Sequence, residues 1–218
     1  MLALDGSMDR YLEATSESYV MWPATNVNTD THRIRYGYSS LITPNQTWEI
    51  DLKTGATELL KAERVLGGFE SANYRDGRMS VSARDGTAVP VSLAWHKDTP
   101  LDGSAPALVY AYGSYGSSTD PWFRNSVVSL LDRGFVYALA HVRGGEEMGR
   151  SWYEDGKLLK KKNTFTDFIA CAEHLVREGY TSPERLYAQG GSAGGLLMGA
   201  VTNARPDLFG GVIASVPF

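Results

Sequence analysis

Cysteine is almost absent. Cys171 stands alone among 218 residues, so neither an internal disulfide nor a cysteine-based metal cluster can form. A reducing compartment fits this, although periplasmic proteins also do without disulfides. The cytoplasm is the expected location. Cys171 falls on a helical pattern, which reads as a buried structural thiol rather than a nucleophile. Long apolar runs are missing too: no stretch approaches the roughly 18 residues that cross a bilayer. The segment Met1-Leu2-Ala3-Leu4-Asp5 has no basic region leading into an apolar one, so no signal peptide is visible. Nor is charge of either sign in excess. The formal net charge of −4 gives no reason to expect nucleic acid or an anionic membrane as a partner. No internal repeat or low-complexity tract appears. Neither a cofactor nor a metal is expected.

What is present suits a folded core, since hydrophobic residues make up 43% of the chain. The first third reads as short strands over 18–24, 33–41, 47–52 and 57–60, with Lys53-Thr54-Gly55 as a turn. Such a meander cannot bury both faces alone. The pattern breaks near Val65-Leu66-Gly67-Gly68-Phe69, which places a linker there and divides the chain into 1–68 and 69–218. Strands over 78–83 and 89–95 flank Arg84-Asp85-Gly86-Thr87, and Asp-Gly between such runs signals a hairpin. From Pro106 strand and helix alternate. Strands are expected over 107–112, 135–142, 185–189 and 211–216, with helices over 123–132, 165–176 and 193–204. Gly134 and Gly179 sit where helix C-caps are expected. The alternation predicts an α/β fold, a doubly wound, mostly parallel sheet with helices on both faces.

One constellation carries chemistry. Gly190-Gly191-Ser192-Ala193-Gly194-Gly195 fits G-x-S-x-G, with a predicted strand running into it and a predicted helix leaving it. That context marks the nucleophile elbow of an α/β-hydrolase. The turn is sharp enough to strain the serine, and side chains at Gly190, Gly194 or Gly195 would strike the adjoining strand or helix. Ser192 then lies at a helix N-terminus, where free N–H groups favour developing negative charge. A phosphate cradle is the rival reading, but no Gly-Lys-Ser/Thr ending follows and the glycine spacing does not fit a dinucleotide fingerprint. The Ala193 N–H is one expected oxyanion donor. The loop Tyr112-Gly113-Ser114-Tyr115-Gly116 follows the third strand of the α/β part, where the second donor usually arises. By itself Tyr112 reads equally well as a hydroxyl donor or as a core aromatic at a strand end.

Five blocks make the reading specific. They are Tyr110-Ala111-Tyr112-Gly113-Ser114-Tyr115-Gly116, His141-Val142-Arg143-Gly144-Gly145-Glu146-Glu147-Met148-Gly149, Trp152-Tyr153-Glu154-Asp155-Gly156-Lys157, Lys160-Lys161-Lys162-Asn163-Thr164-Phe165 and the elbow itself. In this order and spacing they resemble the prolyl oligopeptidase family, and within it the trypsin-like oligopeptidase B branch. Arg35-Tyr36-Gly37-Tyr38-Ser39-Ser40 is similar to the last propeller blade of the same enzymes. The resemblance implies that 1–68 ends a β-propeller and 69–218 begins the α/β-hydrolase domain. It implies Ser192 as nucleophile, the Tyr112 hydroxyl and the Ala193 N–H as oxyanion donors, and Asp120 as the first of two acids that bind basic substrate side chains. The second position holds Trp122, which departs from the pattern. Glu146 replaces a common glycine, so that loop is expected to be stiffer.

After Ser192 the sequence holds one acid, Asp207, and no histidine. Asp207 follows Pro206 near a helix end and reads as solvated. His32, His96, His141 and His174 all precede Ser192, whereas α/β-hydrolases run Ser, then acid, then His. His141 reads as structural. Lys160-Lys161-Lys162 reads as a solvated loop rather than a recognition patch, and Glu146-Glu147 as surface. The resemblance places the acid and base beyond residue 218 and most of a propeller before residue 1. The chain is therefore expected to be a partial piece, inactive alone. The expected activity of the parent is hydrolysis of short peptides after Arg or Lys, through an acyl-enzyme on Ser192. The propeller-like strands, a size filter in this family, favour peptides. An esterase or acyl-aminoacyl hydrolase is the alternative, and a non-catalytic binding remnant is another.

Overall fold

The structure is a computed structural model and describes residues 11–218. Residues 1–5, read above for a targeting segment, lie outside the described residues. Four antiparallel strands form the first sheet in sequence order: β1 (Tyr19–Pro23), β2 (Arg33–Ser40), β3 (Thr43–Asp51) and β4 (Thr57–Ala62). The β3–β4 turn is built by Asp51, whose Oδ1 accepts the Lys53 and Thr54 N–H groups at 2.9 and 3.1 Å. Strand β3 starts four residues before its expected position. Its first part carries Pro44 and lies across an irregularity in the β2–β3 register, which hides it from an alternation count.

The second sheet has six strands: β5 (Tyr74–Ser82), β6 (Ala88–His96), β7 (Ala107–Tyr110), β8 (Val136–Ala140), β9 (Leu186–Gly191) and β10 (Gly211–Ser215). Their order is β10-β9-β7-β8-β6-β5. The β10–β9, β9–β7 and β7–β8 pairs are parallel, while β8–β6 and β6–β5 are antiparallel. Among the described residues four α-helices accompany it: α1 (Asn125–Leu131), α2 (Arg150–Glu154), α3 (Lys162–Arg177) and α4 (Ala193–Ala204). Strand alternation divides the core. Val109 and Ala138 face the cluster of Phe168, Leu175, Leu197 and Met198 from α3 and α4. Their neighbours Leu108 and Tyr137 face Val127, Val128 and Leu131 of α1. Helices thus cover both faces of a mostly parallel sheet, the α/β-hydrolase arrangement.

Differences from expectation are local. Helix α1 starts at Asn125 rather than 123, because Phe123 extends to give its N–H to Ser39 Oγ at 3.2 Å. Helix α2 was not expected; five residues are too few to show a period. Both predicted caps form, with φ of +79° at Gly134 and +76° at Gly179. The two sheets touch through Leu41 and Ile42, which join the α1 side of the core, and through Trp22 against Trp122 at 4.7 Å between ring centroids.

Candidate active site

Ser192 stands between β9 and α4 with φ 54° and ψ −117°, a conformation that a side chain adopts only under strain. The turn requires bare neighbours. A Cβ on Gly190 would lie 2.3 Å from the Gly194 carbonyl oxygen, and one on Gly194 would lie 2.8 Å from that of Ala111. The Ser192 N–H donates to Ser215 O at 2.9 Å, tying the elbow to the end of β10. Ser192 is solvent-exposed, while Ala193 beside it is buried and opens α4. As the first helical residue, Ala193 has an N–H with no intrahelical acceptor, the kind of donor an oxyanion can use.

Tyr112 follows β7, which pairs with β9 as far as Tyr110 against Gln189. Its Cα lies 3.5 Å from a Cβ built on Gly194, so this backbone packs on the start of α4. Tyr112 is half-buried. The register thus brings Tyr112, Ser192 and Ala193 to one end of the sheet. A pocket of about 330 Å³ opens here, lined by Tyr115, Tyr153, Lys161, Ala193, Leu196 and Phe218 among others. Of these only Ala193 is expected in the site from sequence; Lys161 reads there as part of a solvated run. Tyr115 and Phe218 lie outside any helix or strand, Tyr153 lies on the five-residue α2, and Tyr115 has a positive φ of 59°.

Asp120 is exposed on the same stretch of chain. The N–H of the preceding Thr119 donates to Glu147 Oε1 at 2.8 Å. Burial pushes the Glu147 carboxyl up from the ordinary range, and the Asp120 charge pushes it the same way. Glu147 is therefore not the free surface group expected, whereas Glu146 does pair outward with Arg150 at 3.2 Å. Trp122, where the resemblance leads one to expect a second acid, packs at a tilt against Trp22.

The lysine run also differs from a solvated loop. Lys160 pairs with Asp155 at 2.6 Å in solvent. Lys161 turns inward, donating to the Gly113 carbonyl and, at 2.6 Å, to Ser114 Oγ. Burial pulls its ammonium down to about 8.

The other polar candidates are engaged elsewhere. His141 is buried, with Nε2 2.8 Å from Ser92 Oγ, and burial holds it down to about 4. His32 meets Asp51 at 3.1 Å, His96 packs edge-on against Tyr74, and His174 lies on α3 beside Arg177. Asp207 is held by Arg205 at 2.7 Å on the surface. Cys171 is wholly buried, and burial raises its thiol well above the ordinary range. Among the described residues no group of His, Cys, Asp and Glu is placed to hold a metal ion, and no helix is long and apolar enough to cross a membrane.

Residues 121–218 match the prolyl oligopeptidase family, and residues 7–63 match the prolyl oligopeptidase N-terminal beta-propeller domain. The chain belongs to the prolyl oligopeptidase family. Among its relatives is dipeptidyl aminopeptidase BI of Pseudoxanthomonas mexicana, 52% identical over all of this chain and 30% of that protein. Protease 2 of Moraxella lacunata is 45% identical over 87% of this chain and 27% of its own length. Oligopeptidase B from Trypanosoma brucei, solved with covalently bound antipain, superposes with a TM-score of 0.84 at 46% identity, covering 95% of this chain and 30% of that one. The chain thus spans about 30% of the length of these relatives. For a prolyl oligopeptidase family member, the four-stranded sheet is propeller and the six-stranded sheet is hydrolase.

Proposed function

We propose that the protein is a serine peptidase of short peptides that cuts after Arg or Lys. The observation that carries this is the strained Ser192, held between β9 and α4 by glycines that leave no room for a Cβ. In this reading Ser192 Oγ attacks the scissile carbonyl and forms an acyl-enzyme that water hydrolyses. The Ala193 N–H and the Tyr112 hydroxyl receive the oxyanion, and exposed Asp120, with Glu147 close behind it, attracts a basic substrate side chain. The general base is none of the four histidines, which are engaged elsewhere. Support comes from the family, and from the relative that carries antipain covalently.

The test uses the whole protein. A fluorophosphonate probe should label the wild type and not Ser192→Ala, and peptides with Arg or Lys before the scissile bond should outpace matched esters and neutral peptides. Full hydrolysis by Ser192→Ala would end the assignment. A preference for esters would move the reading to the esterase alternative.

A further inference from the structure

Lys161 differs from Lys157 and Lys160 in its partners. Lys157 and Lys160 have carboxylates at 2.5 and 2.6 Å, from Glu154 and Asp155. Among the described residues no carboxylate lies within ion-pairing distance of Lys161 Nζ. Its ammonium instead takes the carbonyl of Gly113 and the hydroxyl of Ser114. Those are the two residues after Tyr112, and both are buried. Gly113 has φ 66°, and further along the loop the Gly116 N–H donates to Gly144 O and the Ser117 N–H to Ser114 O, each at 3.0 Å. A buried carbonyl beside a glycine turns to find a donor if its own is removed. Lys161 also lines the same pocket as Ala193.

We infer that Lys161 is a positioning residue for the oxyanion hole: by holding the Gly113 carbonyl and the Ser114 hydroxyl it fixes the loop that carries Tyr112. The inference rests on the proposed role of Tyr112. A neutral side chain at 161 leaves the Gly113 carbonyl without this donor and loosens the loop that sets the Tyr112 backbone against the start of α4. The ammonium adds positive potential near the developing charge, where a fixed donor acts without reorganising. Ground-state binding of substrate does not use this bond, so the effect falls on the chemical step.

The experiment is a mutant cycle in the whole protein with Lys161→Met, Tyr112→Phe and the double variant. Lys161→Met should lower kcat by about 10² while KM stays within about threefold. Affinity for a peptide aldehyde, whose adduct carries the oxyanion, should fall in step with kcat. The double variant should be little worse than Tyr112→Phe, because both changes remove one interaction. Additive losses, a change confined to KM, or an unchanged kcat would overturn the inference. Should Lys161→Met fail to fold, the neutral Lys161→Gln takes its place in the same cycle and decides by the same criterion. If Tyr112→Phe itself leaves kcat unchanged while Ser192→Ala is dead, the role of Tyr112 fails and the nucleophile stands.

Discussion

Arg143 grips Asp167 with both arms of its guanidinium, through Nε to Oδ2 at 2.8 Å and through Nη2 to Oδ1 at 2.6 Å. The Arg143 N–H adds a third bond to Oδ2 at 3.0 Å, and Nη1 reaches Asp85 on the β5–β6 hairpin at 2.7 Å. Asp167 is wholly buried, so the pair fixes the start of the 143–149 loop against α3. Asp167→Asn leaves the buried guanidinium with the half-exposed Asp85 as its one remaining carboxylate partner. It should cost about 3–5 kcal/mol of stability, read from the urea midpoint. Exchanging both partners for apolar residues should recover much of that loss; an equally unstable double variant would show that the pair's hydrogen bonds, not its charge balance, hold the loop.

His141 sets an acid limit. Burial holds its folded pKa down to about 4, with the Arg78 charge acting the same way, against about 6.5 in an unfolded chain. Between these values the unfolded chain binds a proton that the folded one refuses. The stabilisation is complete above about 6.5, falls as pH drops and levels off below about 4, roughly 3 kcal/mol in all. Denaturation midpoints of wild type and His141→Gln across that window check this. The variant should lose most of the slope, and an identical slope would assign it to other groups.

Glycine substitutions separate elbow from helix. At Gly194 and Gly190 the new methyl meets backbone oxygen at 2.8 and 2.3 Å, and backbone has nowhere to yield. Either alanine variant should lose more than tenfold in kcat/KM through displacement of Ser192. Gly199, five residues further along α4, has nothing within 4 Å of a built Cβ. Gly199→Ala should keep activity and gain about 0.5–1 kcal/mol. Loss of activity at all three would mean that α4, not the turn, is the sensitive element.

Tyr112→Phe should lower kcat by about 10²–10³ with little change in KM, as expected when a donor serves the transition state alone. Steady-state kinetics on one peptide suffice. An effect confined to KM would make the hydroxyl a substrate-binding group.

Much of this was legible in the sequence. The strand–elbow–helix around Ser192 could be read because the elbow demands glycine at fixed offsets, and 193–204 is the observed extent of α4. Strand β5 begins at Tyr74, four residues before expectation, because Asp76 and Gly77 interrupt its alternation. Lys161 reads in the sequence as one of three solvated charges, since a run of identical residues gives no sign of which one turns inward. Glu147 was hidden in the same way, its partner Thr119 lying 28 residues away. Local pattern announces a turn or a helix face. It does not announce a tertiary partner for a single polar side chain.

Trp122 gives the 120–123 stretch two employers. Asp120 is left open to solvent, Trp122 lies on Trp22, and Phe123 is bonded to Ser39. Residues one or two apart thus face solvent and the seam between the two sheets. An acid introduced at 122 to sharpen selectivity would also strip an aromatic from that seam. In this protein, then, retuning the charge of this loop and keeping the two sheets together are one selection problem.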